Sequence, residues 1–393
     1  MERNGPLSGV RVVEMANYIA GPFASQLLAD LGADVVKIET PSGDPFRYFG
    51  DSAYSAQYVA FNRNKRSVVL DLLHASQAQT AQQLVADADV FIENSRPGVM
   101  IRWGLGYDQI HALNPETIYC SISGHGQDGP HAANATFDTV AQATGGMLSQ
   151  LLQPDAPQIV GPAFSDNLAG MTAAYSVLAA LYSRHRGEGG QHLDVSMLGA
   201  TVGFLSLESA LWLNGGRVSE PTSRPSASQS YAFTCEDGRI LVTHLSSPEK
   251  FWTGLVAAIG RPEFLSDPRF GSRRDRVKNF GVLQEALRPI FARKTSTQWS
   301  TVLTEHDVAH AVVNDIPAVF DHPQVKHLGL ETVLEHPTEG TVRTAGPPVR
   351  FADDPRPSFT PPPLLGEHTE TVLAELATRL DAATVNQTLE GSE

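Results

Sequence analysis

Cysteine is almost missing from this chain: Cys120 and Cys235 are the only two among 393 residues. Two widely separated thiols build no disulfide framework, and no C-x-x-C spacing offers a metal site. Positive charge is also scarce. Against 43 Asp and Glu stand 29 Lys and Arg, a formal net charge of −14, which argues against nucleic acid or an anionic membrane as partner. No stretch reaches the roughly 18 uninterrupted apolar residues of a membrane span. The opening MERNGPLSGVRVVEM lacks the apolar core of a secretory signal. P-loop and H-E-x-x-H patterns are absent, so ATP-driven ligation and zinc hydrolysis have no support. The expectation is a soluble, cytoplasmic protein that binds neither nucleic acid nor membrane.

What is present is an ordinary globular composition, 41% hydrophobic and 18% charged. At about 150 residues per domain, the length predicts two or three domains. The first half alternates β-rich runs with helical patterns. VRVVEM, DVVKIE (Asp34 to Glu39), SVVLDL, DVFIEN (Asp89 to Asn94), TIYCSIS and QHLDVSM read as strands. GPFASQLLADLGA and AQTAQQLVADA read as helices between them. Apolar strands separated by crossover-length helices predict a parallel sheet covered on both faces. DTVAQATGGML and DNLAGMTAAYSVLAALYSRHRG read as two further helices. After QHLDVSM the pattern predicts a buried helix through Leu213. Residues 215–230, rich in Gly, Pro and Ser, read as a boundary. Beyond them YAFTCEDGRILVTH predicts a hairpin on its Asp-Gly turn. Amphipathic helices follow around Phe251–Ile259, Leu283–Phe291 and Thr297–Leu303, as in a separate smaller α/β domain.

The stretch SISGHGQDGP carries Gly124, Gly126 and Gly129 in G-x-G-x-x-G spacing. A dinucleotide loop would lead straight into a helix N-terminus that receives the pyrophosphate. PHAANAT is no such opening, so the reading here is a strand-end loop that lets a backbone approach closely. His125 is an open candidate for lining a pocket. Asp166 and Asp138 each stand at the head of a predicted helix, where an N-cap and an activated carboxylate are both possible. Arg63, Lys65 and Arg66 before a strand, and Asn94, Arg96 and Arg102 at a strand-to-helix turn, are residue types that a phosphate-bearing ligand needs. Surface charge is the competing explanation.

Together these stretches resemble the family III CoA transferases, the CaiB/BaiF group that includes formyl-CoA and carnitine CoA transferases. The landmarks are VVEMANYIAGPFASQLLADLGADVVKIE, NRNKRSVVLDL, IENSRPGVMIRWGLGYDQIHALNP, IYCSISGHGQDGP, GPAFSDNLAGMTAAYSVLAALYSRHRGEGGQHLDVSM and PPLLGEHTETVL, in that order over nearly the whole chain. The resemblance implies a large Rossmann-like α/β domain with a parallel sheet, built from both chain ends around a smaller inserted α/β domain. Its parts are residues 1–214, a linker at 215–230, the small domain at 231–325 and a C-terminal return at 326–393. It also implies an interlocked homodimer, no tightly bound cofactor or metal, and coenzyme A or acyl-CoA and a carboxylic acid as substrates.

By the same resemblance Asp166 is the nucleophile, forming a mixed anhydride and then an aspartyl-CoA thioester, with Asp138 as a supporting or acid/base group. Ile19, Ala20, Leu70, Asn94, Arg96, Arg102 and Phe137 match the CoA-contacting stretches. Three features depart from formyl-CoA transferase. Ile19 replaces a glutamine, Leu73 replaces a lysine, and SRPSASQSYAF lacks the poly-glycine lid. Two rival functions share the resemblance: an α-methylacyl-CoA racemase and a catalytically silent CoA-ester binder. The racemase needs a histidine where Phe137 stands, and phenylalanine moves no proton. A dicarboxylate acyl group would need a cation, for which Arg47, Arg217 and Arg224 are candidates; a large apolar acyl group is equally open.

Overall fold

A computed structural model describes residues 5–51, 54–153, 155–349, 351 and 359–390. The chain divides into two compact units: Met1–Leu148, Ile159–Ser206 and Leu328–Glu393 form one, Ser149–Gln158 and Leu207–His327 the other.

The larger unit is built on six parallel strands: β1 (Arg11–Met15), β2 (Asp34–Glu39), β3 (Lys65–Val69), β4 (Val90–Glu93), β5 (Ile118–Ser123) and β6 (His192–Ser196). Their spatial order is β3-β2-β1-β4-β5-β6, the doubly wound arrangement whose direction reverses between β1 and β4. Each expected strand in this half is found. Side chains alternate across the sheet with period two. Val12, Val35, Ile92 and Cys120 face α1 (Ala20–Asp30) and the later helices, while Val13, Val36, Phe91 and Tyr119 face the opposite core. α2 (Ala75–Ala86) covers that second face with Ala81, Leu84 and Val85.

α3 (Asp138–Thr144) is shorter than its apolar pattern suggests, because Gly145 and Gly146 stop it. α4 (Phe164–His185) runs for 22 residues and packs on α1. The two helices come close because Gly170 has no side chain: a Cβ there would stand 2.8 Å from the Ala20 carbonyl oxygen. The chain returns as an antiparallel hairpin and closes with α5 (Thr369–Glu390), whose Val372 and Leu376 enter the second core.

The smaller unit holds the expected hairpin, β7 (Ser230–Thr234) against β8 (Ile240–His244), turning at Asp237–Gly238, with β9 (His310–Val312) alongside. Its core is aromatic. Phe233 stacks on Phe291 at 4.1 Å, beside buried Trp252 and Trp299.

Two expectations are corrected. The apolar run toward Leu213 forms two helices, and the second, Ser206–Gly215, buries none of its residues; Leu213 is 79% exposed. Its Leu207, Trp212 and Leu213 are left exposed beside the polar Glu208 and Asn214. Nor are Arg63, Lys65 and Arg66 free for a phosphate. Arg63 pairs with Asp30, Arg66 with Asp34 and Glu375, and Lys65 with Glu14. They stand at the start of β3, whereas ligands of such sheets gather outside the carboxyl ends of the strands.

The Lys65 pair belongs to a fully buried cluster. The alternation places Glu14, opposite Lys37 in register, on the α1 face. Glu14 accepts from Lys37 and Lys65, each at 2.7 Å, and from Ser25. Lys37 also lies 3.0 Å from Asp44 and donates to the Ala16 carbonyl, while Lys65 donates to the Pro22 carbonyl. Burial pushes the Glu14 carboxyl up, but the two ammonium groups more than offset this and hold it at about 2. Removing one partner from such a cluster leaves uncompensated buried charge. Glu14→Gln should therefore destabilise the protein by about 3–5 kcal/mol, read as a lowered urea midpoint; a midpoint unchanged from wild type would contradict the assignment.

Candidate active site

β1 and β4 lie side by side where strand order reverses, and the crevice outside their carboxyl ends is where such sheets bind ligands. Asn94 ties its two lips together. Its Oδ1 accepts the Asn17 N–H at 2.9 Å and its Nδ2 donates to the Asn17 carbonyl at 2.8 Å. Below it Glu93, pushed up to about 7 by burial, accepts the Ser95 N–H at 2.7 Å and shapes the turn that carries Arg96.

Ile19 is half-buried just before α1. Ala20 and Leu70 are buried, with Leu70 in the second core, so they offer a ligand only backbone. Arg96 and Arg102 are exposed, and among the described residues neither has an ion-pair partner. Leu73, where the resemblance expects a lysine, is 82% exposed.

Asp166 is the third residue of α4. The N-cap position belongs to Ala163, so Asp166 does not cap the helix. Among the described residues nothing donates to its carboxylate. Its backbone N–H instead reaches Asp138 Oδ1 at 3.2 Å. Asp138 opens α3, and its Oδ2 accepts from Gln142 Nε2 at 2.5 Å. The helix N-terminus favours an anion at Asp166. Burial opposes it first and the Asp138 charge second, and these raise Asp166 to about 7. Phe137, the N-cap residue of α3, is 65% exposed and meets Tyr18 edge-on at 6.0 Å. The β1–α1 loop and the heads of α3 and α4 thus converge.

Gln142 was not a sequence candidate, although its i+4 spacing from Asp138 on a helix is the signal that could have found it. It is nearly inaccessible, and its Oε1 has no partner among the described residues. The glycine loop leads into turns, with no helix before Asp138. A Cβ on Gly124 would stand 2.3 Å from Thr136, so this glycine admits the returning chain. His125 is half-buried with its Nδ1 unpartnered. Arg47 is buried against Glu39 and Tyr58, and so cannot meet a substrate carboxylate. A cavity of about 640 Å³ between α1, the middle of α4 and the C-terminal segments includes none of these site residues. Asp166, outside that cavity, is the candidate by its chemistry.

The sequence pattern of CoA-transferase family III matches residues 7–369. The chain belongs to that family. Family III relatives include the succinyl-CoA:glutarate CoA-transferase of Mus musculus, 32% identical over 98% of this chain and 89% of its own. A probable fatty acyl-CoA transferase of Mycobacterium tuberculosis is 33% identical over 94% of this chain and 98% of its own. The solved CaiB/BaiF family protein of Brucella suis superposes with a TM-score of 0.84 at 32% identity, covering 95% of this chain and 100% of that one. This is an enzyme of the CoA-transferase type.

The raised carboxyl of Asp166 has a consequence for stability. A folded-state value above the unfolded one makes the ionised group a cost that is present at high pH and vanishes in acid. Asp166→Asn should raise Tm at about pH 8, with the gain disappearing toward about pH 4. Equal gains at both pH values in calorimetry would contradict the burial argument.

Proposed function

We propose that the enzyme moves CoA from an acyl-CoA to a carboxylic acid through covalent intermediates on Asp166. The observation that carries this is a carboxylate at the convergence of three strand- and helix-end segments with no hydrogen-bond donor among the described residues. The Asp166 carboxylate attacks the thioester carbonyl, and the CoA thiolate leaves to give a mixed anhydride. The thiolate returns to the Asp166 carbonyl and releases the donor's acid. The acceptor carboxylate attacks this aspartyl thioester, expelling thiolate again. Thiolate then takes the acceptor's acyl carbon and frees Asp166. One thioester replaces another, so the exchange needs no ATP. Asp138 makes Asp166 more basic and thus a better nucleophile. Backbone N–H groups of the glycine-bearing loop are suited to each oxyanion. Arg96 and Arg102, both without an ion-pair partner among the described residues, suit the CoA phosphates, with Ile19, Ala20, Leu70, Asn94 and Phe137 lining the thioester arm.

We further propose a homodimer of the interlocked family type. Met171, Tyr175 and Tyr182 on α4 of the larger unit are exposed, and so, separately, are Trp212 and Leu213 of the smaller one, apolar side chains of the kind a second copy would cover. The segment 231–325 acts as the small inserted domain in this reading. Free, buried Cys120 and Cys235 fit a cytoplasmic location. The acyl group is not fixed by kinship, since the relatives named above include both a glutarate and a fatty acyl-CoA transferase.

Asp166→Ala should abolish CoA exchange, and hydroxylamine with acyl-CoA should modify Asp166, detected by peptide mass spectrometry. Solvent deuterium entering the α-carbon without transfer to any acid would establish a racemase instead. CoA-ester binding without turnover would establish a silent binder. The acid limb of kcat/KM should lie near pH 7 and move to lower pH in Asp138→Asn, because the neighbouring charge is gone; an unmoved limb would remove Asp138 from this role.

A further inference from the structure

Tyr18 is the one bulky residue at the mouth of the crevice with a left-handed backbone, φ 66°. A non-glycine aromatic holds such a conformation only where its surroundings impose it, and such outliers gather at functional sites. Here the restraint is visible. The Tyr18 N–H reaches Asp44 Oδ1 at 3.3 Å, and Asp44 is itself held against Lys37. Asn94 clamps the preceding Asn17 from the other side. The buried cluster and Asn94 therefore restrain the backbone from which the Tyr18 ring projects. That ring meets Phe46 at 5.3 Å and Phe137 at 6.0 Å, and Phe46 continues to Phe49 at 5.0 Å. Phe137 and Phe49 remain 65% and 58% exposed. Phe137 adjoins Asp138, which holds the Asp166 backbone.

We propose that Tyr18 is the residue that sets acyl selectivity, and that with Phe46, Phe49 and Phe137 it forms an aromatic wall admitting apolar, flat or branched acyl groups in preference to dicarboxylates. The inference rests on CoA transfer at Asp166. Ring faces carry negative potential and desolvate what they touch, so a second carboxylate against them is disfavoured. The guanidinium that might have offset this, Arg47, is already engaged by Glu39, Tyr58 and the Pro363 carbonyl.

The test compares benzoate, isobutyrate and succinate as acceptors, by kcat/KM, in wild type, Tyr18→Gly and Tyr18→Phe. Glycine tolerates the positive φ while removing the ring. Wild type should prefer benzoate and isobutyrate to succinate. Tyr18→Gly should cut that preference by about tenfold, the size of one lost aromatic contact, and Tyr18→Phe should keep it. Phe137→Ala, on an exposed ring, provides the second variant should Tyr18→Gly fail to fold. Calorimetric binding of benzoyl-CoA against succinyl-CoA to Asp166→Asn protein reads the same preference without turnover. Preferential benzoyl-CoA binding together with a wild type that exchanges CoA with none of the acids would uphold the wall and sink the transferase reading. Exchange that favours succinate, or a preference unmoved by both ring variants, would overturn the wall alone.

Discussion

A fully buried carboxylate shared by two ammonium groups is the constraint on which the rest of the large unit depends. Glu14 joins β1 to β2 and β3 through Lys37 and Lys65. The same two lysines donate to the Ala16 and Pro22 carbonyls, which bracket the loop between β1 and α1. Charge in a core is expensive to bury and is a weak source of net stability. Its use here is geometric, because directional bonds to two carbonyls and the Asp44 carboxylate fix a loop that packing alone would leave loose.

That loop is one lip of the crevice at the switch of strand order, and Asn94 is the other. The proposed nucleophile stands slightly to the side, where the heads of α3 and α4 meet. The approach of α4 to α1 at Gly170 brings Asp166 toward the loop, and the Asp138–Gln142 contact sets how its neighbour is held. Two acidic groups this close and partly desolvated cannot both ionise freely. The pair thus yields a carboxylate more basic than usual without any metal ligand or cationic partner among the described residues.

Much of the frame was legible in the letters. Strands with near-continuous apolar runs, separated by helices of crossover length, specify a parallel sheet by periodicity, and every one of the first six strands formed. Asp166 was reachable through its landmark, although its spacing suited a cap equally well. Gln142 was missed because a glutamine in a helix is unremarkable until its partner is known. Lys65 and its neighbours were misread for a similar reason: NRNKRS reads as solvent-facing charge, while the carboxylate it serves lies 51 residues earlier.

The sequence by itself determined what depends on neighbours along the chain: strand and helix period, glycine stops, the Asp-Gly hairpin and the family landmarks. Tertiary structure alone decided which charges are buried, which arginines stay unpaired among the described residues, that Tyr18 is left-handed and that Asp166 sits beside Asp138. These are properties of residues distant in the chain meeting in a low-dielectric interior, where a partner's identity reverses the meaning of a charge. No local pattern encodes that partner.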